Sequence, residues 1–157
     1  MKKLIALALL AMMILSTNVS ANEWDKIRIG VEGAYPPFSW VEKDGTLKGF
    51  DIDIAMALCE EIGAECVLVP QDWDGIIPAL LARKYDAIIA SMSITEERKK
   101  KVAFSGKYYN TPAKFARKKG SGITISKAGM KGKKVGVQRA TTHDNFITAE
   151  FGDSVEI

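Results

Sequence analysis

Three short stretches, Ile27 to Val31, Cys66 to Val69 and Ala87 to Ala90, limit the fold of this chain more than any other feature of its sequence. Each is short and rich in aliphatic residues, which is the pattern of a strand. Ala87-Ile88-Ile89-Ala90 is apolar at every position, as a strand covered on both faces of a parallel sheet requires. Parallel neighbours need long crossovers, and the intervening segments supply them. Ile52, Ala55, Met56, Cys59 and Ile62 recur at helical spacing behind Asp51, a residue suited to cap that helix, and Gly63 ends it. Asp72 or Asp74 can cap a second helix through Ile76, Ile77, Leu80 and Leu81. This strand–helix–strand–helix–strand order predicts an α/β domain with right-handed crossovers.

Between these elements, Tyr35-Pro36-Pro37-Phe38 reads as a rigid turn, and Asp44-Gly45 as a hairpin between Ser39–Val41 and Leu47–Phe50. The charged run Glu96 to Lys101 is most simply a solvated helical turn. Val102–Phe104 and Ala113–Ala116 read as further short strands, and Lys118 to Gly122 as a loop. A second α/β unit then begins, with Lys133–Val137 as a strand, Thr141–Phe151 as a helix and Val155–Ile157 as another strand. One helix and two short strands cannot bury a core of their own.

Lys2 and Lys3 precede an unbroken apolar stretch from Leu4 to Leu15, followed by Val19-Ser20-Ala21. A stretch this short does not span a bilayer, and the small residues behind it suit a cleavage site, so residues 1–21 are expected to be a secretory signal peptide; an uncleaved anchor is the alternative. Cleavage would remove two lysines and no acids, taking the formal charge of +3 close to neutrality. The basic balance of the whole chain is therefore no argument for nucleic-acid binding. Of 157 residues, 47% are hydrophobic and 26% charged, which excludes a disordered or collagenous chain. Two cysteines, Cys59 and Cys66, are expected to pair in an exported protein. Zinc is the alternative, but the single histidine, His143, is distant and there is no second cysteine pair.

Phosphate-binding loops, dinucleotide fingerprints and nucleophile elbows are absent from the sequence, and one histidine supports neither a metal cluster nor a triad. No catalytic residue, metal ligand or cofactor is assigned. What remains are polar groups at strand ends, where open α/β sheets bind their ligands. Glu32, Tyr35 and Phe38 follow the first strand, and Gln71, Asp72 and Trp73 follow the second. Ser91, Met92, Ser93, Thr95 and Arg98 follow the third, while Gln138, Arg139, Thr141 and Thr142 follow the first strand of the later unit. Each has a plainer reading: Arg98 as a solvated charge, Trp73 as a core or rim residue, Glu32 as an edge charge, and Thr141 or Thr142 as a helix cap.

Taken in order, the motifs are more specific than their members. Ile29-Gly30-Val31, Tyr35-Pro36-Pro37-Phe38, Gly49-Phe50-Asp51-Ile52-Asp53 and Asp72-Trp73-Asp74-Gly75-Ile76-Ile77-Pro78-Ala79-Leu80 come first. The run from Tyr85 to Arg98, then Val102-Ala103-Phe104-Ser105 and Lys131 to Val137, complete the series. Together they resemble bacterial periplasmic amino-acid-binding proteins, the family 3 solute receptors of ABC importers. The paired cysteines are similar to those of the lysine/arginine/ornithine- and histidine-binding members.

The resemblance implies a periplasmic-binding-protein-like fold, two α/β lobes joined by a hinge, with lobe 1 in residues 22–111 and the hinge and start of lobe 2 in 112–157. It implies that Arg98 holds a ligand α-carboxylate and that Ser91, Ser93 and Thr142 add hydrogen bonds. Trp73 would stack on the ligand side chain with Tyr35 on its other side, and Glu32 would pair with a cationic tip. A carboxylate between aromatic faces suits guanidinium or ammonium, so a basic amino acid is the expected ligand. Gln138, Arg139 and His143 depart from the family pattern, and Arg139 facing the cleft would oppose such a ligand. The implied protein is periplasmic, its partner is a membrane permease, and no covalent step or cofactor is involved. A cyclohexadienyl or arogenate dehydratase on the same fold, with Glu32 as proton donor, is the alternative. The second lobe is expected to be incomplete, with the acid for the ligand ammonium and the returning strand of lobe 1 beyond Ile157, and the piece alone to be unstable and a weak binder.

Overall fold

The computed structural model describes residues 24–157. The expected signal peptide lies outside the described residues. Three parallel strands form the main sheet: β1 (Lys26–Val31), β5 (Glu65–Pro70) and β6 (Ala87–Ile88), in the order β5-β1-β6. β1 pairs with β5 along its whole length, from Lys26 opposite Glu65 to Val31 opposite Pro70, and with β6 from Ile29 opposite Ala87. Helix α1 (Phe50–Ile62) links β1 to β5, and a 3-10 turn (Trp73–Gly75) running into α2 (Ile76–Leu81) links β5 to β6. A small antiparallel sheet, β2 (Ala34–Tyr35), β3 (Ser39–Val41) and β4 (Leu47–Lys48), sits between β1 and α1 in the chain, turning at Asp44-Gly45 as the sequence indicates.

Strand alternation divides the core in two. Ile29 and Val31 pack with Ile52, Ala55 and Cys59 on the α1 side, joined by Cys66, Leu68 and Ile89. Ile76, Ala79, Tyr85 and Ala90 pack on the α2 side, with Val69, Trp73 and Ile88 against them. Gly30 faces Tyr85, and a Cβ there would lie 2.5 Å from the tyrosine ring. The Tyr85 hydroxyl in turn donates to the Ile76 carbonyl, so a large polar-tipped side chain is buried with its tip satisfied. Cys59 and Cys66 form the expected disulfide between the end of α1 and the start of β5.

Four local expectations change. Asp51 is not a cap: Gly49, at φ 125°, holds the N-cap position of α1, and Asp51 lies buried in its first turn. Met56 and Ile62 share the spacing of the core residues but lie exposed at its margin. Val102–Phe104 and Ala113–Ala116 form no strand, because they lack a paired neighbour; a cavity of about 620 Å³ separates residues 102–111 from β6. Lys133–Val137 and Val155–Ile157 are likewise reduced to one parallel bridge between Lys134 and Glu156. Two short helices complete the described chain, α3 (Glu96–Lys99) and α4 (Thr142–Phe151). No helix among the described residues is long and apolar enough to cross a membrane.

Candidate functional site

The carboxyl ends of the three parallel strands point the same way, and polar residues collect there. Glu32 directly follows β1, and Asp72, Trp73 and Asp74 follow β5. Together with Ala34, Gln138 and Arg139 they line a cavity of about 310 Å³. Arg98 packs over Trp73, its guanidinium carbon 5.3 Å from the centre of the indole. Its position is set by local chemistry. The Thr95 hydroxyl accepts the Arg98 backbone N–H at 3.1 Å, capping α3, so the arginine side chain emerges from the first turn beside the indole.

The Arg98 fork is oriented by two carbonyls. Nη1 donates to Ser93 O at 2.8 Å and Nη2 to Ala140 O at 3.1 Å. Ala140 O also accepts from Trp73 Nε1 at 3.1 Å, so one carbonyl fixes both the cation and the ring. Ala140 has φ 59°, a left-handed backbone uncommon outside glycine. The turn that holds it there is tied at both ends: Thr141 Oγ1 donates to Gln138 O and accepts the Asp144 N–H, while Asp144 Oδ2 accepts the Ala140 N–H. Burial pulls the Arg98 pKa below its ordinary value, opposed by the charge of Glu97; the guanidinium stays charged. Two of its five N–H donors are used on carbonyls, and the rest remain for an anion.

Charge is distributed unevenly around the cavity. Three acids, Glu32, Asp72 and Asp74, line it against one arginine, Arg139. Arg139 Nη2 lies 3.0 Å from Asp74 Oδ2, an ion pair in which the arginine is 85% exposed. Gln138 Nε2 donates to Glu32 Oε1. Among the described residues no cluster of His, Cys, Asp and Glu is arranged to hold a metal.

The bacterial extracellular solute-binding proteins, family 3, match residues 27–150 of this sequence, all but the first residue of β1 and the last of α4 among the strands and helices named above. The chain belongs to this family. The L-arginine-binding protein of Pseudomonas aeruginosa is 53% identical over 150 residues, covering 96% of this chain and 58% of that protein. A solved ancestral arginine-binding protein bound to arginine superposes with a TM-score of 0.72 at 40% identity, over 86% of this chain and 61% of that one. The arginine-bound form of domain 1 from TmArgBP aligns over 54% of this chain and 68% of that one, at 44% identity and a TM-score of 0.52. The chain thus spans a little over half the length of the curated relatives it matches.

In this family 3 protein the structure brings Glu32, Trp73 and Arg98 into one neighbourhood. Tyr35 is exposed and stacks on Phe38, ring centres 5.1 Å apart, next to Ala34 but not itself lining the small cavity. Ser91 and Ser93 line the larger cavity, and the Ser91 hydroxyl donates to Asp51. Thr142 opens α4, whose cap is Thr141. Sequence reasoning left Asp74 out of the site, although its place beside Trp73 in the Asp-Trp-Asp run was a signal. Nothing in the sequence marks the Ala140 carbonyl, since an alanine gives no hint of a left-handed backbone.

Proposed function

We propose that this protein is a periplasmic receptor for a basic amino acid, arginine foremost, and delivers it to the membrane permease of an ABC importer. One observation carries the reading. An acidic cavity walled by Glu32, Asp72 and Asp74 opens beside an indole on which a charged arginine is stacked. A carboxylate-binding fork and an acidic pocket that share one aromatic neighbour would suit the two charged ends of a basic amino acid. Arg98 takes the α-carboxylate, with Ser91, Ser93 and Thr142 as further polar partners. Trp73 stacks on the ligand side chain, Tyr35 closes over it, and Glu32 meets the cationic tip by exchanging its Gln138 partner. The ion pair with Asp74 offsets the charge of Arg139, which would otherwise oppose such a ligand.

The names of the relatives point the same way, to L-arginine in the Pseudomonas protein and to arginine in the ancestral structure. An arginine-bound form of domain 1 from TmArgBP supports giving the first lobe a part in ligand binding. We assign residues 1–21 to a signal peptide, 22–111 to lobe 1 and 112–157 to the hinge and the start of lobe 2. Closure on the ligand is a population shift: contacts to both lobes favour the closed form, and the permease reads that form.

Titration calorimetry tests this. Arginine, lysine, ornithine or histidine should bind with micromolar or tighter affinity, and Arg98→Ala should weaken binding more than about a hundredfold, the loss of a bidentate charged contact. Binding of neutral or acidic amino acids in place of basic ones would remove the role given to Glu32. Turnover of prephenate or arogenate would replace the receptor by a dehydratase.

A further inference from the structure

A buried carboxylate beside the site is not explained by ligand contact. Asp51 is 1% exposed, and no lysine or arginine among the described residues forms an ion pair with it. Its Oδ2 accepts from Ser91 Oγ at 2.7 Å and its Oδ1 from Tyr108 OH at 2.9 Å. The Tyr108 oxygen then accepts the backbone N–H of Ser91, also at 2.9 Å. The three groups close a ring that joins the first turn of α1, the loop after β6 and the segment beyond α3.

Ser91 is the residue that ring constrains. Its φ is +52°, a left-handed conformation that strains a residue carrying a Cβ. Burial pushes the Asp51 pKa up while the two hydroxyl donors pull it back, so the fold accepts two costs at one place. The turn at Ser91 redirects the chain from the end of β6 toward Ser93, whose carbonyl orients Arg98 Nη1.

We propose that Asp51 and Tyr108 are positioning residues for ligand binding: by holding Ser91 in its left-handed turn they set the Ser93 carbonyl, and through it the Arg98 fork. This rests on the reading of Arg98 as the carboxylate-binding group. The aspartate touches no ligand in this scheme, and the Ser91 hydroxyl keeps lone pairs with which to accept from one.

The experiment is calorimetric binding of L-arginine to the secreted protein, paired with thermal melts, for Tyr108→Phe, Ser91→Ala, Ser91→Gly and Arg98→Ala. Tyr108→Phe keeps the ring and its packing but removes one bond to Asp51 and the acceptor for the Ser91 N–H. It should weaken arginine binding about tenfold, the scale of one well-placed hydrogen bond. Ser91→Ala keeps the strained backbone and its N–H bond to Tyr108 but loses the hydroxyl bond to Asp51, and should lose both affinity and melting temperature. Ser91→Gly relieves the strain and should melt above Ser91→Ala; since both variants also lose a hydroxyl assigned to the ligand, the deciding readout is Tyr108→Phe, which keeps that hydroxyl and removes no ligand contact. Wild-type affinity in Tyr108→Phe, with Arg98→Ala inactive, would overturn the positioning role and leave the site reading intact. Undiminished binding by Arg98→Ala would overturn the site reading and the positioning role together.

Discussion

The two walls of the candidate cleft are built differently. One wall, carrying Glu32, Trp73 and Arg98, stands on a parallel sheet with a packed cluster on each face, a disulfide behind it and a buried carboxylate fixing its loop. The other wall, residues 138–142, stands on a segment whose buried residues beyond 111 are Met130, Thr141 and Ile147, joined by a single bridge. Across the cleft the second wall contributes a carbonyl and two exposed side-chain partners, Gln138 to Glu32 and Arg139 to Asp74. The difference teaches that geometry is stored in the first wall, where burial makes each contact hard to exchange, and that the second wall supplies contacts a ligand can replace.

The largest effect should come from breaking the first wall at Gly49. Its φ of 125° is open only to glycine, and an added Cβ would lie 2.4 Å from the Phe38 carbonyl oxygen. Gly49→Ala should cost at least about 3 kcal/mol in denaturant unfolding, because both the backbone and the clash resist it. A loss under about 1 kcal/mol would show that the turn into α1 is pliable and the contrast between the walls overstated. Next in size is the staple. Replacing Cys59 and Cys66 by serine should cost about 2 kcal/mol for so short a loop and leave arginine affinity within about threefold, since the bond lies away from the strand ends. A larger loss of affinity than of stability would show that the disulfide shapes the site itself.

The same contrast explains what the sequence discloses. The first-wall elements announce themselves through short aliphatic runs and a helical repeat, because burial against a sheet demands those residues at those spacings. Trp73 and Arg98 are legible from their places after strand ends. Their common partner is not, since it is the backbone of Ala140 and a carbonyl has no residue signature. Asp51 is visible in sequence but misread: an aspartate before a helical repeat suggests a cap, while the cap is Gly49 and the aspartate is turned inward to residues 40 and 57 positions away. The strands expected at 102–104, 113–116 and 133–137 fail for a related reason. Strand propensity is realised only beside a partner edge, and whether one is present is a tertiary fact.

Acid should act through the first wall, with two aspartates opposing each other. Hydrogen bonds from the Arg28 side chain, and then from its backbone N–H, hold Asp86 below the ordinary carboxylate range. Its contribution is present above the unfolded-state pKa and is lost as pH falls through the folded value. Burial holds Asp51 above that range, so its contribution is present below the unfolded-state pKa and is lost as pH rises through the folded value. Unfolding followed from about pH 7 down to about pH 2 should therefore fall more steeply in Asp51→Asn through the upper part of that range and less steeply in Asp86→Asn through the lower part than in the parent. Parallel curves for all three would show that neither carboxylate titrates differently in the folded state.

The smallest effect belongs to the second wall. The Arg139–Asp74 pair is exposed on both sides, so solvent and salt screen it and its net worth is at most about 1 kcal/mol. Arg139→Ala should change stability by less than that. It should shift arginine affinity by no more than about threefold, with tighter binding expected because a cation near the ligand's own charge is removed. Both changes should vanish as salt is raised from about 0.05 M to about 0.5 M, where the screening length falls below the size of the cleft. A loss of affinity beyond tenfold that survives high salt would mean that Arg139 is fixed in place as firmly as Arg98. The second wall would then hold stored geometry of its own, and the asymmetry between the two walls would be gone.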